Sequence, residues 1–198
     1  RQGSNRGALT VAEFELQRTK IVSAITRLNA DVVGLMEIEN NGYGDNSAIA
    51  NLVTALNAAQ PDEADHYRWI ASPDGKPIGT DAITVGLIYR PAKVTPEGAA
   101  SLIALPVQQA EAVDASGKPV TINQGMRESL VQRFSSPKGD APLTLVVNHL
   151  KSKGSACFED YPDYASADPL DGQGHCNALR VSAAKVLGEQ LKGLSGDL

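Results

Sequence analysis

Cysteine is nearly missing from this chain, with Cys157 and Cys176 the only two among 198 residues. So few exclude a framework of several disulfides, and no Cys/His set has the spacing of a structural zinc site. No apolar run approaches the length needed to cross a bilayer. There is no excess of positive charge: the formal net charge is −5. That balance argues against a broad basic face that would hold nucleic acid electrostatically, so any phosphate chemistry requires local cations or a metal. Repeats, low-complexity segments and a serine in a nucleophile elbow are also lacking. Gly172-Gln173-Gly174 has no strand before it, so a dinucleotide loop is a poor reading. Asp160, Asp163, Asp168 and Asp171 lack the spacing of an EF-hand loop. The chain opens at Arg1 without an initiator Met or a signal sequence, as expected of a processed or excised piece.

What is present suits one domain with a real core. The hydrophobic share is 42% and the charged share 21%, ordinary for a soluble globular protein. Thr10 and Glu13 form a capping box that opens an amphipathic helix through about Leu28. Val11, Phe14, Ile21, Ile25 and Leu28 supply its expected buried side. Asp31 to Glu39 reads as a short buried strand, and Asn40 to Asp45 as a turn. Asn46 is the expected cap of a second helix carrying Ile49, Leu52, Val53 and Leu56. Tyr67 to Ala71 and Ala82 to Tyr89 read as strands, the second ended by Arg90-Pro91. Residues 92–128 read as mixed loop and short strand. Leu130 to Phe134 and Leu143 to Leu150 are further strands, and a last helix runs from Asn177 to a stop at Gly193. Helices interleaved with strands, and strand pairs in the middle, predict a mixed α/β sandwich.

Two stretches carry chemistry. In Leu143-Thr144-Leu145-Val146-Val147-Asn148-His149-Leu150-Lys151-Ser152-Lys153, both faces are largely apolar, as in a central strand covered on two sides. Such a strand delivers His149 and then two lysines to a sheet edge beside loops, where catalytic groups are usually placed. A satisfied structural histidine is the plainer alternative. In the other stretch, alternation puts Glu37 and Glu39 on one face beyond Val33 and Leu35. A carboxylate there suits a hard divalent cation, because Mg²⁺ takes one or two carboxylates and keeps several waters; a solvated strand end is the alternative. The polar, proline-broken segment between Cys157 and Cys176 has little to hold it unless the two are bridged. Closing it would remove loop entropy worth roughly 3 kcal/mol from the unfolded chain. A bridge implies an oxidising compartment.

Leu35-Met36-Glu37-Ile38-Glu39-Asn40, following Ala30-Asp31-Val32-Val33-Gly34, resembles the metal-ligand strand of the DNase I-like endonuclease/exonuclease/phosphatase superfamily. Within it the chain is most similar to secreted bacterial extracellular nucleases. Further segments fit in order: Gly79-Thr80-Asp81-Ala82-Ile83 leading to Val85-Gly86-Leu87-Ile88-Tyr89-Arg90-Pro91, then Arg127 before Leu130-Val131-Gln132-Arg133-Phe134. Val147 to Lys153 follows, and Asp171-Gly172-Gln173-Gly174-His175-Cys176-Asn177 after it. The resemblance implies a DNase I-like α/β sandwich: two mixed sheets packed face to face with outer helices, residues 1–198 forming a partial domain incomplete at both ends. It implies an extracellular, Mg²⁺-dependent (Mn²⁺ being the substitute) phosphodiesterase acting on DNA or RNA. Glu37 would be the metal ligand, His149 would sit at the scissile phosphate, and Asp81 would orient it. Arg127 would bind a phosphate oxygen. Asn40, Asn148 and Lys151 would contact substrate, with Lys153 steering the polyanion. No membrane and no obligate protein partner are implied.

The departures are specific. The family's Asn-bearing first strand does not precede Arg1, and neither its Gly-Asp-x-Asn nor its Ser-Asp-His motif occurs. The residues that would supply a general base and further metal ligands are therefore not in these 198 residues. A piece of a larger enzyme is the expectation, with little activity on its own. A phosphatase or phospholipid phosphodiesterase of the same fold, and a non-catalytic interaction fragment, are the other readings.

Overall fold

The computed structural model describes residues 7–113, 116–154 and 172–194. In chain order these form α1 (Val11–Leu28), β1 (Val32–Glu39), α2 (Ala48–Ala58), a 3₁₀ turn (Glu63–Asp65), β2 (Arg68–Trp69) and β3 (Ile83–Tyr89). Then come β4 (Thr95–Ile103), β5 (Gln108–Val113), β6 (Pro119–Gln124), β7 (Ser129–Ser135), β8 (Leu143–Val147) and α3 (Asn177–Lys192). The protein is mixed α/β. One sheet has the order β1-β3-β2 and a second β4-β7-β8, while β5 and β6 pair separately. The pairings of β3 with β1 and β2, of β5 with β6 and of β7 with β8 are all antiparallel, where mixed sheets were expected. Short connections favour this for β5 with β6 and for β7 with β8, since antiparallel neighbours need only a turn, whereas parallel ones need a long crossover.

The described residues fall into two compact units. The first takes the chain up to Leu102 together with Leu130–Asn148. In it, the two larger sheets share a core of Ile70, Ile78, Val85, Leu87, Ala100, Leu130, Phe134 and Val147. The helices lie on the other side of the first sheet, where Ile25, Ile49, Val53 and Leu56 pack on Tyr67 and Ile88. Two strand glycines permit the close layers. A Cβ on Gly34 would stand 3.3 Å from a Val147 methyl, and one on Gly86 would stand 3.2 Å from Ile49 Cδ1.

Thr10 opens α1 as expected. Its Oγ1 accepts from the Glu13 N–H at 3.1 Å, and Glu13 Oε2 accepts from the Thr10 N–H at 3.2 Å. The expected buried side is corrected: only Ile25 is buried, and Val11 is 78% and Leu28 67% exposed. Val22 and Ile25 make the contact with the core cluster, so the helix rests on that edge of its apolar stripe. The second helix is capped by Ser47, not Asn46; Ser47 Oγ accepts from the Ala50 N–H, and Asn41 Oδ1 accepts from the Ala48 N–H. β2 is shorter than expected, and residues 92–128 hold three strands. β4 is irregular at Gly98 (φ +70°), where buried Gln132 donates to the carbonyls of Glu97 and Gly98. Arg90 ends β3 as a buried cation over the Tyr67 ring, bonded to Asn29 Oδ1 at 2.8 Å and to the Asp65 carbonyl at 3.2 Å.

The second unit takes Ile103–Ser129 and the described part of His149–Ser195. Its α3 begins after Cys176 and ends at Gly193, matching the sequence reading, and packs Leu179 with Cys176 and Met126.

Candidate functional site

β1 and β3 pair regularly from Val32↔Tyr89 to Leu35↔Gly86, then resume at Ile38↔Thr84. Met36 and Glu37 thus oppose Val85 alone, which is a β-bulge. Glu37 occupies the left-handed region at φ +60°. Only three non-glycine residues among those described have positive φ, and for a long side chain that conformation is strained. The bulge corrects the expected alternation. Val33, Leu35 and Ile38 all join the helix-side cluster, so the spacing along that face is two and then three residues. Glu39, next after Ile38, follows the opposite face by alternation, and Glu37 is re-aimed out of the ladder as an exposed carboxylate.

The turn after β1 is tied to the chain entering β3. Asn40 Nδ2 donates to the carbonyls of Ile78 (2.8 Å) and Asp81 (2.9 Å), and the Asn40 N–H donates to the Ala82 carbonyl at 3.0 Å. Both amide hydrogens of Asn40 are thereby engaged, leaving its Oδ1 as the atom able to meet a ligand. Asp81 is exposed and its Oδ1 accepts from the Ala82 N–H at 2.7 Å. Glu37, Asn40 and Asp81 therefore stand at one end of the first sheet. Nearby, burial raises the Tyr43 phenol above its ordinary pKa.

β8 differs from expectation. It stops at Val147, and Leu143 to Val146 are exposed or half-buried, so it is not a strand covered on both faces. It lies at the end of the order β4-β7-β8. Asn148, just past it, donates from Nδ2 to the Val146 carbonyl at 3.1 Å. His149 is two residues beyond the strand, in the second unit with Arg127 and Lys151; all three are half-buried. The Nδ1 of His149 and the Nε of Arg127 are shielded from solvent. Cys157 lies outside the described residues, and with it the expected bridge to Cys176, which is buried.

The residue that sequence reading overlooks is Arg180. Its guanidinium reaches the carbonyls of Lys151, Gln173 and His175. A cation four residues into a helix that follows a Gly-x-Gly turn is the available signal.

Among the described residues no three of His, Cys, Asp and Glu are grouped as a protein cage for a metal. Glu37 offers one exposed carboxylate, and a hard divalent cation held there would need its further oxygen ligands from water or substrate. Two grooves lie elsewhere on the first unit. One of about 610 Å³ runs between α1 and α2, and another of about 870 Å³ is bordered by Trp69, Arg68 and Glu63. Neither is lined by Glu37, Asn40 or Asp81. No family model, curated protein or solved structure matches this chain.

Proposed function

We propose that the protein is a metal-dependent phosphodiesterase of the DNase I-like α/β sandwich class, acting outside the cell on nucleic acid. The observation that carries this reading is Glu37, a carboxylate held in left-handed backbone by a bulge at a strand end. Bulges and backbone strain of this kind cluster at active sites, where a side chain must be aimed against local preference. The Asn40 and Asp81 turn beside it gives that end of the sheet a defined shape.

In this reading Glu37 holds the Mg²⁺ (or Mn²⁺), and the ion when bound supplies charge neutralisation at the phosphate. Arg127 binds a non-bridging phosphate oxygen through its planar guanidinium. His149 donates a hydrogen bond or proton to the phosphoryl group as charge develops. Water, its proton passing to a general base, attacks phosphorus in line, and the P–O bond to the leaving oxygen breaks. Asn148 and Lys151 contact the polynucleotide backbone, and Asp81 carries the orienting role that the resemblance implies for it. A Cys157–Cys176 bridge would fit an oxidising, extracellular setting.

Incubation of the protein as its gene encodes it with plasmid DNA, RNA and a phosphatidyl substrate, with Mg²⁺ or with EDTA, tests this. EDTA-sensitive cleavage of the nucleic acids supports it. Turnover of the phosphatidyl substrate alone moves the assignment to a lipid phosphodiesterase of the same fold, and no turnover of any leaves an interaction role.

A further inference from the structure

The second unit contains a clamp. Arg180, in the first turn of α3, donates from Nη1 to the Lys151 carbonyl (3.4 Å) and the His175 carbonyl, and from Nη2 to the Gln173 carbonyl (2.8 Å). The His175 N–H closes the same junction by donating to the Lys153 carbonyl at 3.0 Å. Gly174 sits between, at φ +72°; a Cβ there would stand 2.7 Å from Lys153 Cβ and 3.0 Å from its carbonyl oxygen. A Cβ does not approach its neighbours that closely without movement, so only glycine lets the 172–176 turn lie flat on the 151–153 segment. Two separate features, a forked cation and a glycine, therefore fix one stretch of backbone.

That stretch carries Lys151 and Lys153. Residues 149–154 and 172–180 contain three full cations, Lys151, Lys153 and Arg180, with the nearest carboxylate in sequence, Asp171, just before the second segment. The Arg180 guanidinium is held by neutral carbonyls, so its charge adds to the local field. In a chain of net charge −5 this is a local concentration of positive charge. Lys151 follows His149 by two residues, at most about 7 Å along the chain.

We propose that Arg180 is a positioning residue that holds Lys151 and Lys153 as a basic ledge for a substrate phosphate beside the one at His149. The proposal rests on the phosphodiesterase reading above. Arg180 itself touches the lysine backbone and not the phosphate. A lysine at 180 cannot replace it, because an ammonium lacks the planar fork that reaches three carbonyls at once.

The test is binding of a short fluorescein-labelled oligodeoxynucleotide to the protein as its gene encodes it, by anisotropy in EDTA across a salt series. Arg180→Ala and Arg180→Lys are each expected to weaken binding about tenfold at low salt. Each should also flatten the log–log salt slope by about 0.7 for every phosphate that the lysines no longer neutralise. In a Lys151→Ala/Lys153→Ala background, Arg180→Ala should add little further weakening, since it acts through those lysines. Fully additive effects, or an unchanged affinity and slope in Arg180→Lys, would overturn the proposal. Amide exchange of the His175 N–H reports the clamp directly: it should speed up in Arg180→Lys, and an unchanged rate would overturn the clamp. Wild-type protein that binds no oligonucleotide would overturn the phosphodiesterase reading and the ledge together. Wild-type binding with unaffected variants would overturn the ledge alone.

Discussion

Replacing Glu37 by glycine should separate stability from activity. A non-glycine residue in the left-handed region costs about 1–2 kcal/mol, and Glu37 sits there at φ +60°. Glycine removes that cost but adds roughly 0.5–1 kcal/mol through the greater freedom of the unfolded chain. The Glu37 side chain is exposed, so its interactions contribute at the surface scale of about 0–1 kcal/mol. The net for Glu37→Gly lies between about 1 kcal/mol of destabilisation and about 1.5 kcal/mol of stabilisation, at about 2–4 °C in Tm per kcal/mol for a chain of this size. Glu37→Asn should behave similarly, because asparagine tolerates the same backbone. Glu37→Val should instead lose about 1–2 kcal/mol, since a β-branched residue at positive φ crowds its own carbonyl. All of these remove the carboxylate and should abolish metal-dependent turnover alike. Urea and thermal denaturation followed by circular dichroism give the stability order, and a plasmid nicking assay gives the activity. A Glu37→Gly protein less stable than wild type by about 2 kcal/mol or more, or a Glu37→Val protein of unchanged stability, would refute the bulge argument.

Three further outcomes are expected. Alkylation of the denatured, unreduced protein should label neither Cys157 nor Cys176, whereas labelling of both would count against the bridge. Gly86→Ala should destabilise by about 1–3 kcal/mol, because its Cβ would press on Ile49 Cδ1 at 3.2 Å and the α2 layer must shift; an unchanged urea midpoint would contradict this. Burial raises the phenol pKa of Tyr67, and also of Tyr43, above the unfolded value near 10. Their folded-state preference for the neutral form is fully present below pH 10 and is lost as pH rises through the higher folded values, so stability should fall on the alkaline side, and a Tyr67→Phe protein should fall less steeply.

Much of the framework is legible because its signals are local. The Thr10 and Glu13 box marks where α1 begins, and Gly193 marks where α3 ends; both elements run where their capping residues say. The bulge escapes a reading by strict alternation, although Val33, Leu35 and Ile38 already carry the two-then-three spacing of a face with an extra residue. β4 reads as loop because Pro96 and Gly98 break its pattern, and the side chain that steadies it, Gln132, comes from a strand far along the chain. Apolar periodicity shows that α1 is amphipathic but not which edge of the stripe meets α2, since that depends on the neighbour. Strand ends are legible as the place of Glu37, Asn40 and Asp81, yet the hydrogen bonds that make Asn40 a brace for the Asp81 turn depend on tertiary pairing. Arg180 is hard to read for the same reason: its partners are backbone carbonyls, and the Gly-x-Gly turn before its helix is the one trace they leave.

The central claim is that Glu37 and His149 serve one metal-dependent reaction on nucleic acid. Steady-state cleavage of plasmid DNA by the protein as its gene encodes it, comparing wild type with Glu37→Ala and His149→Ala at saturating Mg²⁺, tests it most directly. The account predicts EDTA-sensitive cleavage by wild type and a fall in turnover of about a hundredfold or more in each variant, with the fold retained. Cleavage that survives both substitutions at the wild-type rate would contradict it.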